Sequence, residues 1–325
     1  MRERLSGHTR RRGAGDTPSS PADTARLLRL ATFASVTVAA LLVAAKVGAW
    51  LLTGSVSVLA SLVDSAMDAG ASLLNLLAVH WSLRPPDAEH RFGHGKAQPL
   101  AALGQSAFIV GSAAFVGLEA IDRLLHPRPV AQPGVGLAIV VLAMALTVGL
   151  LAIQRHVIRR TASTAIRADA LHYATDLATN GATLLALALA WMGWQSADPW
   201  LGLGIGAVVL ASALGIGHEA VQLLLDHELP AAQREEIAAL ARATALVRGV
   251  HGLRTRRSGQ SLIIQLHLEL DDDLPLRESH QAALAAEARI RERYPDSDII
   301  IHQDPASLGD EEDGAARAPG TRHRP

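Results

Sequence analysis

Long runs of apolar residues, separated by short polar connections, make up the first two-thirds of this 325-residue chain. Each run is close to the roughly 20 residues that an α-helix needs to cross a bilayer, and the runs have almost no polar stripe of the kind seen in soluble bundles. The pattern therefore predicts an integral membrane all-α bundle of six transmembrane helices. These helices are predicted at about Leu28–Leu52, Val56–Trp81, Pro99–Leu125, Val135–Ile153, Ala165–Met192 and Pro199–Leu225.

The pattern changes at His227, where shorter amphipathic segments replace the continuous apolar runs. Residues 261–270 alternate between apolar and polar with the period of a half-buried strand. The αββαβ order of the segments predicts a small α+β domain. The predicted elements are helix Ala231–Leu246, strands Val250–Arg256 and Ser261–Leu270, helix Leu276–Tyr294 and strand Asp298–His302, with a hairpin turn at 257–260.

These changes divide the chain into four parts. Residues 1–25 are polar and lack the apolar core of a signal peptide, so we expect a disordered tail. Residues 26–226 form the predicted transmembrane domain, and residues 227–306 form the predicted α+β domain. Residues 307–325 are acidic and then rich in Gly, Pro and Arg, which predicts a second disordered tail.

Basic residues are concentrated on one side of the predicted bundle. The N-terminal segment through Arg29 carries seven arginines. Connections on the same side add Arg84, Arg91, Lys96, Arg155, Arg159, Arg160 and Arg167, whereas the opposite side has Arg123 and Arg128. Because cytoplasmic loops are enriched in Lys and Arg, both termini are predicted to be cytoplasmic.

Composition limits the chemistry available to the chain. It contains no cysteine, which excludes thiolate metal sites, disulfides and cysteine nucleophiles, so any bound metal must use nitrogen and oxygen ligands. A net charge of −1 gives no indication of nucleic-acid binding. The sequence has no G-x-x-x-x-G-K-[ST] phosphate-binding loop, which argues against ATP as an energy source.

Two pairs of polar residues lie inside the apolar runs. Asp64 and Asp68 are four residues apart in the second run, and His172 and Asp176 have the same spacing in the fifth. This spacing places each pair on one face of a helix. Ionisable residues at membrane depth are costly and indicate function. Together these four side chains predict a tetrahedral site for a divalent metal such as Zn²⁺.

A purely structural role is the alternative for these four residues, through pairing with cations or hydrogen bonds between helices. Lys46 is the obvious cation within the predicted spans, and we expect its amine to extend outward to the interface. Three carboxylates would then lack partners, which favours the metal site. Asn75 and Asn180 follow on roughly the same faces and are expected to pack or to support the ligands.

Two further clusters have the composition of metal sites. The connection after the second predicted helix holds Asp87, His90 and His94, although a solvated, turn-rich loop is an alternative interpretation. The α+β domain carries several histidines on separate elements. Each alone resembles an ordinary surface histidine, but the set favours a structural or regulatory metal site. Its members are His251, His267, His280, His302 and Asp304.

The sequence resembles the cation diffusion facilitator family. The resemblance covers about residues 30–306, nearly everything except the tails, which are the longer Arg-rich N-terminus and the acidic C-terminus. It is carried by the stretches SLVDSAMDAGASLLNLL, HRFGHGKAQPLAAL, RRTASTAIRADALHYATDLATNGA, GLRTRRSG and DIIIHQDP.

The resemblance implies a homodimer of six-helix protomers, joined through a metallochaperone-like cytoplasmic domain with a binuclear metal site. It implies that Lys96 and Asp226 form a charge interlock at the dimer interface. It also implies efflux of Zn²⁺, with Cd²⁺ or Fe²⁺ as further substrates, in exchange for protons across the inner membrane by alternating access. The four intramembrane residues would be the transport site and the loop cluster a second site.

His172 supports proton exchange independently, because one imidazole nitrogen cannot bind a metal ion and a proton together. We therefore expect a secondary transporter, with membrane lipid, metal ions and protons as partners, and not an enzyme. An intramembrane metalloprotease would need a His-Glu-x-x-His motif, which the predicted spans lack. A membrane metal sensor, which would bind the same ions without moving them, is the alternative.

Overall fold

The computed structural model describes residues 21–53, 56–126, 136–192 and 197–308. Six long helices come first. Much of both predicted tails (1–20 and 309–325) and parts of the predicted connections (54–55, 127–135 and 193–196) lie outside the described residues. The helices are α1 (Pro21–Thr53), α2 (Val56–Ser82), α3 (Ala97–Leu125), α4 (Gly136–Thr161), α5 (Thr164–Trp191) and α6 (Ala197–Leu224).

Two helix boundaries differ clearly from the predictions. α1 begins at Pro21, so residues 21–25 are helical and do not belong to a tail. Proline is compatible with the first turn of a helix, and Asp23 there complements the helix dipole. α4 continues past Ile153 to Thr161, so the helix extends beyond the predicted apolar run and includes Arg155, Arg159 and Arg160.

Five of the six helices contain a segment that is long and apolar enough to cross a membrane. α5 is not among them, because Arg167, Asp169 and Asp176 interrupt its apolar character. It nevertheless packs against α3, α4 and α6 within the bundle. The sixth transmembrane span therefore stays a prediction. The five segments are Ala22–Leu52, Ser61–Ser82, Ala97–Asp122, Val140–Thr161 and Pro199–Leu224.

The outer surface of the bundle is apolar. Large side chains such as Leu74, Leu118 and Val208 are well exposed. An apolar surface of this kind would be a liability in water, whereas the acyl chains of a bilayer cover it at no cost. The exposed leucines, valines and phenylalanines therefore mark the lipid-facing side of the helices.

The C-terminal domain has the predicted αββαβ order. Its three strands form one sheet in the order β1-β2-β3, with β2 antiparallel to β1 and parallel to β3. Apolar residues of α7, β2 and α8, among them Ile237, Leu266 and Ile290, form its core. The elements are α7 (Ala231–Arg242), β1 (Gly249–Ser258), β2 (Ser261–Leu270), α8 (Leu276–Arg293) and β3 (Ser297–Pro305).

Local backbone geometry sets the boundaries within this domain. α7 ends at Arg242, before the predicted end at Leu246, and Leu246 itself has a left-handed φ of 70°, which is incompatible with a helix. The hairpin between β1 and β2 is tighter than predicted, since the strands pair as far as Ser258 and Ser261. Gly259 supplies the positive φ of 61° that a two-residue turn needs.

The hairpin tip of the C-terminal domain packs directly on the residues that precede α3. A Cβ atom added to Gly95 would lie 2.5 Å from the backbone carbon and oxygen of Ser258. A Cβ added to Gly259 would lie 2.8 Å from the Cα of Gly95. The two backbones therefore meet at a distance that only glycine permits.

Asp226 connects the same two regions by charge. It lies just after α6, forms an ion pair with Lys96 (Nζ to Oδ1, 3.0 Å) and accepts a hydrogen bond from Arg256 Nη1 at 3.0 Å. Partial burial of Asp226 opposes ionisation, but the bonds from Lys96 and Arg256 outweigh it and hold the pKa of the carboxyl below its usual value. The predicted Lys96–Asp226 pair thus forms within one protomer, and its role between protomers stays a prediction.

Candidate metal centres

Facing side chains on α2 and α5 form the candidate centre inside the helix bundle. His172 Nε2 lies 3.0 Å from Asp68 Oδ1 and 3.8 Å from Asp176 Oδ2. His172 is buried, whereas the two aspartates are half-buried. One ligand atom from each of these three residues lies within 4.8 Å of the others, which is close enough for a single metal ion to contact all three.

Asp64 stands one helical turn before Asp68 and belongs to the wall of the same cavity. This cavity has a volume of about 360 Å³ and is also lined by Asp68, Asp176 and Asn180. Asp64 is more exposed than the three grouped residues. The structure thus places Asp64, Asp68 and Asp176 on the wall of one cavity, with His172 in contact with Asp68, and the joint role of the four as a transport site stays a prediction. Asn75 is buried, and its side-chain atoms have no hydrogen-bond partner among the described residues.

Sequence reasoning missed a second buried polar group, which we call the Asp169 cluster: Asp169, Ser35, Gln105 and Gln154. Asp169 is fully buried on α5 and accepts hydrogen bonds from Ser35 Oγ at 2.6 Å, Gln154 Nε2 at 2.7 Å and Gln105 Nε2 at 3.3 Å. These partners come from α1, α4 and α3. The signal was a second aspartate in the fifth apolar run, three residues before His172.

Tyr173 extends this polar interior toward α2. Its hydroxyl is hydrogen-bonded to Ser72 Oγ at 2.8 Å and donates to the backbone oxygen of Ser35 at 3.3 Å. Tyr173 directly follows His172, so the tyrosine fixes the turn of α5 that carries the imidazole. The orientation of His172 toward Asp68 is therefore supported by contacts to both α1 and α2.

The loop between α2 and α3 groups its three predicted ligands at the surface. Asp87 Oδ2 lies 3.3 Å from His94 Nε2, and Asp87 Oδ1 lies 3.4 Å from His90 Nδ1. The backbone N–H of His90, and then that of Glu89, donate to Asp87 Oδ1 and hold the pKa of this carboxyl below its usual value. An ionised carboxylate beside two imidazoles is a plausible ligand set for a divalent ion.

The C-terminal domain aligns three histidines across its sheet. The strand register pairs His251 with His267 and His267 with His302, so the three rings form one row. Asp304 lies beside this row, with Oδ2 2.7 Å from His267 Nδ1 and 3.3 Å from His251 Nε2. Its Oδ1 lies 2.6 Å from His302 Nδ1. The alternation of β2 puts this row on the face opposite the apolar core.

Two residues are described separately from this group: His280, whose role as a ligand stays a prediction, and Glu269. His280 is exposed on α8 and is not part of the cluster formed by His251, His267 and Asp304. Glu269 was not predicted, yet its Oε1 lies 2.9 Å from His251 Nδ1. Glu269 follows His267 by two residues on β2, so the period of the strand was the signal that places both on one face.

Comparison with known proteins agrees with this arrangement. The family model for the cation efflux transmembrane domain matches residues 32–225, and the model for the cation efflux protein cytoplasmic domain matches residues 229–306. The chain is 53% identical over 283 residues to the cation-efflux pump FieF of Escherichia fergusonii, and 52% identical over 283 residues to that of Escherichia coli strain K12 / DH10B. Each alignment covers 87% of this chain and 94% of the relative.

Solved structures resemble the C-terminal part. The metal-bound C-terminal domain of the CzcD transporter from Thermotoga maritima is 24% identical, with a TM-score of 0.23, and the match covers 25% of this chain and 96% of that one. The sequence matches to full-length relatives confirm the resemblance that the motifs indicated. The chain therefore belongs to the cation efflux, or cation diffusion facilitator, family of membrane transporters.

Proposed function

We propose that the chain exports divalent metal cations from the cytoplasm through the site formed by Asp64, Asp68, His172 and Asp176. The observation that carries this proposal is the convergence of Asp68, His172 and Asp176 inside a membrane helix bundle. Carboxylates at this depth need a cation to offset their charge. If that cation is a metal ion that enters from one side and leaves on the other, the group is a transport site. The name of the FieF relatives, cation-efflux pump, supports the same activity.

Proton exchange is the proposed energy source. A metal ion that binds His172 Nε2 requires that nitrogen to be free of a proton, and a proton that binds there removes a metal ligand. Binding of a metal ion from one side of the membrane and binding of a proton from the other therefore exclude each other at His172. Exposure of the site to one side at a time, in alternating access, then converts a proton gradient into metal efflux.

Zn²⁺ is the proposed main substrate, with Cd²⁺ and Fe²⁺ as further substrates. Three carboxylates and one imidazole suit a borderline divalent ion in a tetrahedral site, and they offer none of the sulfur that Cu⁺ prefers. The surface loop of Asp87, His90 and His94 would be a second metal site. The row of His251, His267 and His302 beside Asp304 would be a cytoplasmic metal store, and the exposed His280 would join it only through rearrangement.

Flux into proteoliposomes tests the proposal. Zn²⁺ uptake in the presence of a pH gradient should be rapid for the wild-type chain and fall by at least about 100-fold in Asp68→Ala, since the variant loses a ligand that contacts His172. The same vesicles report proton movement through an internal pH dye. The matched control is Asp273→Ala, which removes an exposed carboxylate between β2 and α8 and leaves every proposed metal site complete.

Two outcomes would contradict the proposal. Wild-type uptake by the Asp68→Ala variant would show that the central group is not the transport site. Saturable Zn²⁺ binding with no flux in the wild-type chain would favour the membrane metal sensor. A panel of Zn²⁺, Cd²⁺ and Fe²⁺ in the same assay identifies the preferred substrate.

We also propose that the chain is a homodimer in the inner membrane, with six spans, both termini in the cytoplasm and the C-terminal domains joining the protomers. Metal binding by the histidine row would then stabilise the dimer by mass action. Sedimentation of the detergent-solubilised chain should give the mass of two chains, with tighter association when Zn²⁺ is added. A single-chain mass at all concentrations, with and without Zn²⁺, would exclude the dimer.

A further inference from the structure

The side-chain amine of Lys46, on α1, lies in a different place from the one expected from the sequence. The amine does not extend to the interface. It donates hydrogen bonds to the backbone oxygen of Ser61 at 3.0 Å and to Ser65 Oγ at 2.6 Å, both on α2. These two serines flank Asp64 in the sequence, so the ammonium group is held against the turn of α2 that carries the first predicted metal ligand.

The same lysine lines the cavity of the central site. Lys46, Asp64, Asp68 and Asp176 all belong to the wall of the 360 Å³ space between the helices. Its charge acts on both Asp64 and Asp176. In a membrane interior, charges on the wall of one cavity interact far more strongly than they would in water.

The charges of the side chains around the cavity sum to zero when one divalent cation is bound. Three carboxylates (−3) and one ammonium (+1) leave a net charge of −2, which a divalent cation (+2) with a neutral imidazole ligand brings to zero. Without the ammonium group, a site with bound metal would keep a net charge of −1 inside the bilayer. Because a fixed positive charge repels a metal cation, it also weakens binding and speeds release.

We propose that Lys46 is an affinity- and specificity-determining residue of the metal site, a fixed cation that lowers the affinity for metal and makes the site neutral with a divalent ion. This inference rests on the proposed function. It assigns the lysine a role that a simple tether between α1 and α2 would not have. A tether matters through its hydrogen bonds, whereas the proposed role depends on the charge.

Substitutions at Lys46 separate the two roles. Lys46→Met and Lys46→Gln remove the charge, with Gln keeping a hydrogen-bond donor, and Lys46→Arg keeps the charge as the matched control. Zn²⁺ binding to the full chain is measured by equilibrium titration, and the part lost in Asp68→Ala is taken as the central site. Both neutral variants should bind Zn²⁺ there on the order of tenfold more tightly, because an interaction between nearby charges is removed.

Transport kinetics give the second readout. In proteoliposomes, the neutral variants should show a lower KM for Zn²⁺ and a lower kcat, since metal that binds more tightly leaves more slowly. Lys46→Arg should remain close to the wild-type chain in both values. A tether role instead predicts unchanged or weaker Zn²⁺ binding in Lys46→Met and Lys46→Gln, and that result would overturn the proposal.

These measurements distinguish failure of the Lys46 proposal from failure of the proposed function. If Asp68→Ala loses no Zn²⁺ binding relative to the wild-type chain, the central group does not bind metal, and both proposals fall. If Asp68→Ala loses binding but the neutral Lys46 variants bind no more tightly, only the role of Lys46 is wrong. Thermal denaturation of each variant in detergent shows whether it is folded. If Lys46→Met is unfolded, the Zn²⁺ affinity of Lys46→Gln decides between the two roles of the lysine.

Discussion

Asp169→Ala should destabilise the membrane domain by about 3 kcal/mol and abolish Zn²⁺ transport. The substitution removes the common acceptor of Ser35, Gln105 and Gln154, which are buried on three other helices. Each polar group left without a partner in this interior costs about 1–3 kcal/mol. It also frees the turn of α5 that precedes His172, so the ligand pair on this helix loses its position.

The matched control is Asp169→Asn, which keeps the volume: an amide oxygen in place of Oδ2 can still accept from Ser35 and Gln154, and only the longer contact to Gln105 is lost. Thermal denaturation in detergent should place Asp169→Asn within about 1 kcal/mol of the wild-type chain and Asp169→Ala well below both. Transport measured at a temperature where the Ala variant is still folded tests the positioning role. Equal stability of Ala and wild-type chains would show that the cluster does not hold the helices together.

Gly95→Ala should separate the C-terminal domain from the membrane domain. The new Cβ would lie 2.5 Å from the backbone of Ser258, where no flexible side chain can move aside, so the hairpin must shift. Overpacking of this kind costs about 1–3 kcal/mol. Amide hydrogen exchange around the β1–β2 turn should accelerate by at least about tenfold in the variant, because the docked state is less populated.

Gly104→Ala provides the control for this prediction. Gly104 lies on α3, nine residues beyond Gly95, and a Cβ added there meets nothing within 4 Å. Hydrogen exchange at the hairpin should therefore match that of the wild-type chain. Unchanged exchange at the hairpin in Gly95→Ala would mean that the junction tolerates a methyl group and that the close approach does not hold the domains together.

The hydrophobic pattern predicted most of the architecture because a bilayer and a small sheet each impose a simple period on the sequence. The continuous runs located all six helices, and the alternation in 261–270 located the central strand. Helix ends were less predictable. Residues 154–161 continue α4 although the predicted apolar run ends at Ile153, and α7 ends at Arg242, before its predicted end at Leu246.

The residues of the candidate sites were also predictable only in part. The four-residue spacing placed Asp64 with Asp68, and His172 with Asp176, on one face of each helix, and the structure brings Asp68 within 3.0 Å of His172. The sequence could not distinguish Asp169 from a further ligand, because its role depends on partners from three distant segments. His280 has the same composition signal as His267, and only the fold shows that it lies on α8, away from the row.

The hydrogen bonds of α5 make the two halves of the metal site mechanically unequal. The Asp169 cluster fastens α5 to α1, α3 and α4, whereas α2 is joined to α5 through the Ser72–Tyr173 bond and the Asp68–His172 contact. A tilt of α2 would therefore open the gap between the two ligand pairs while His172 and Asp176 stay in place. One ligand pair would stay fixed and the other would move. The position of a single helix, α2, would then set how tightly the ion is held.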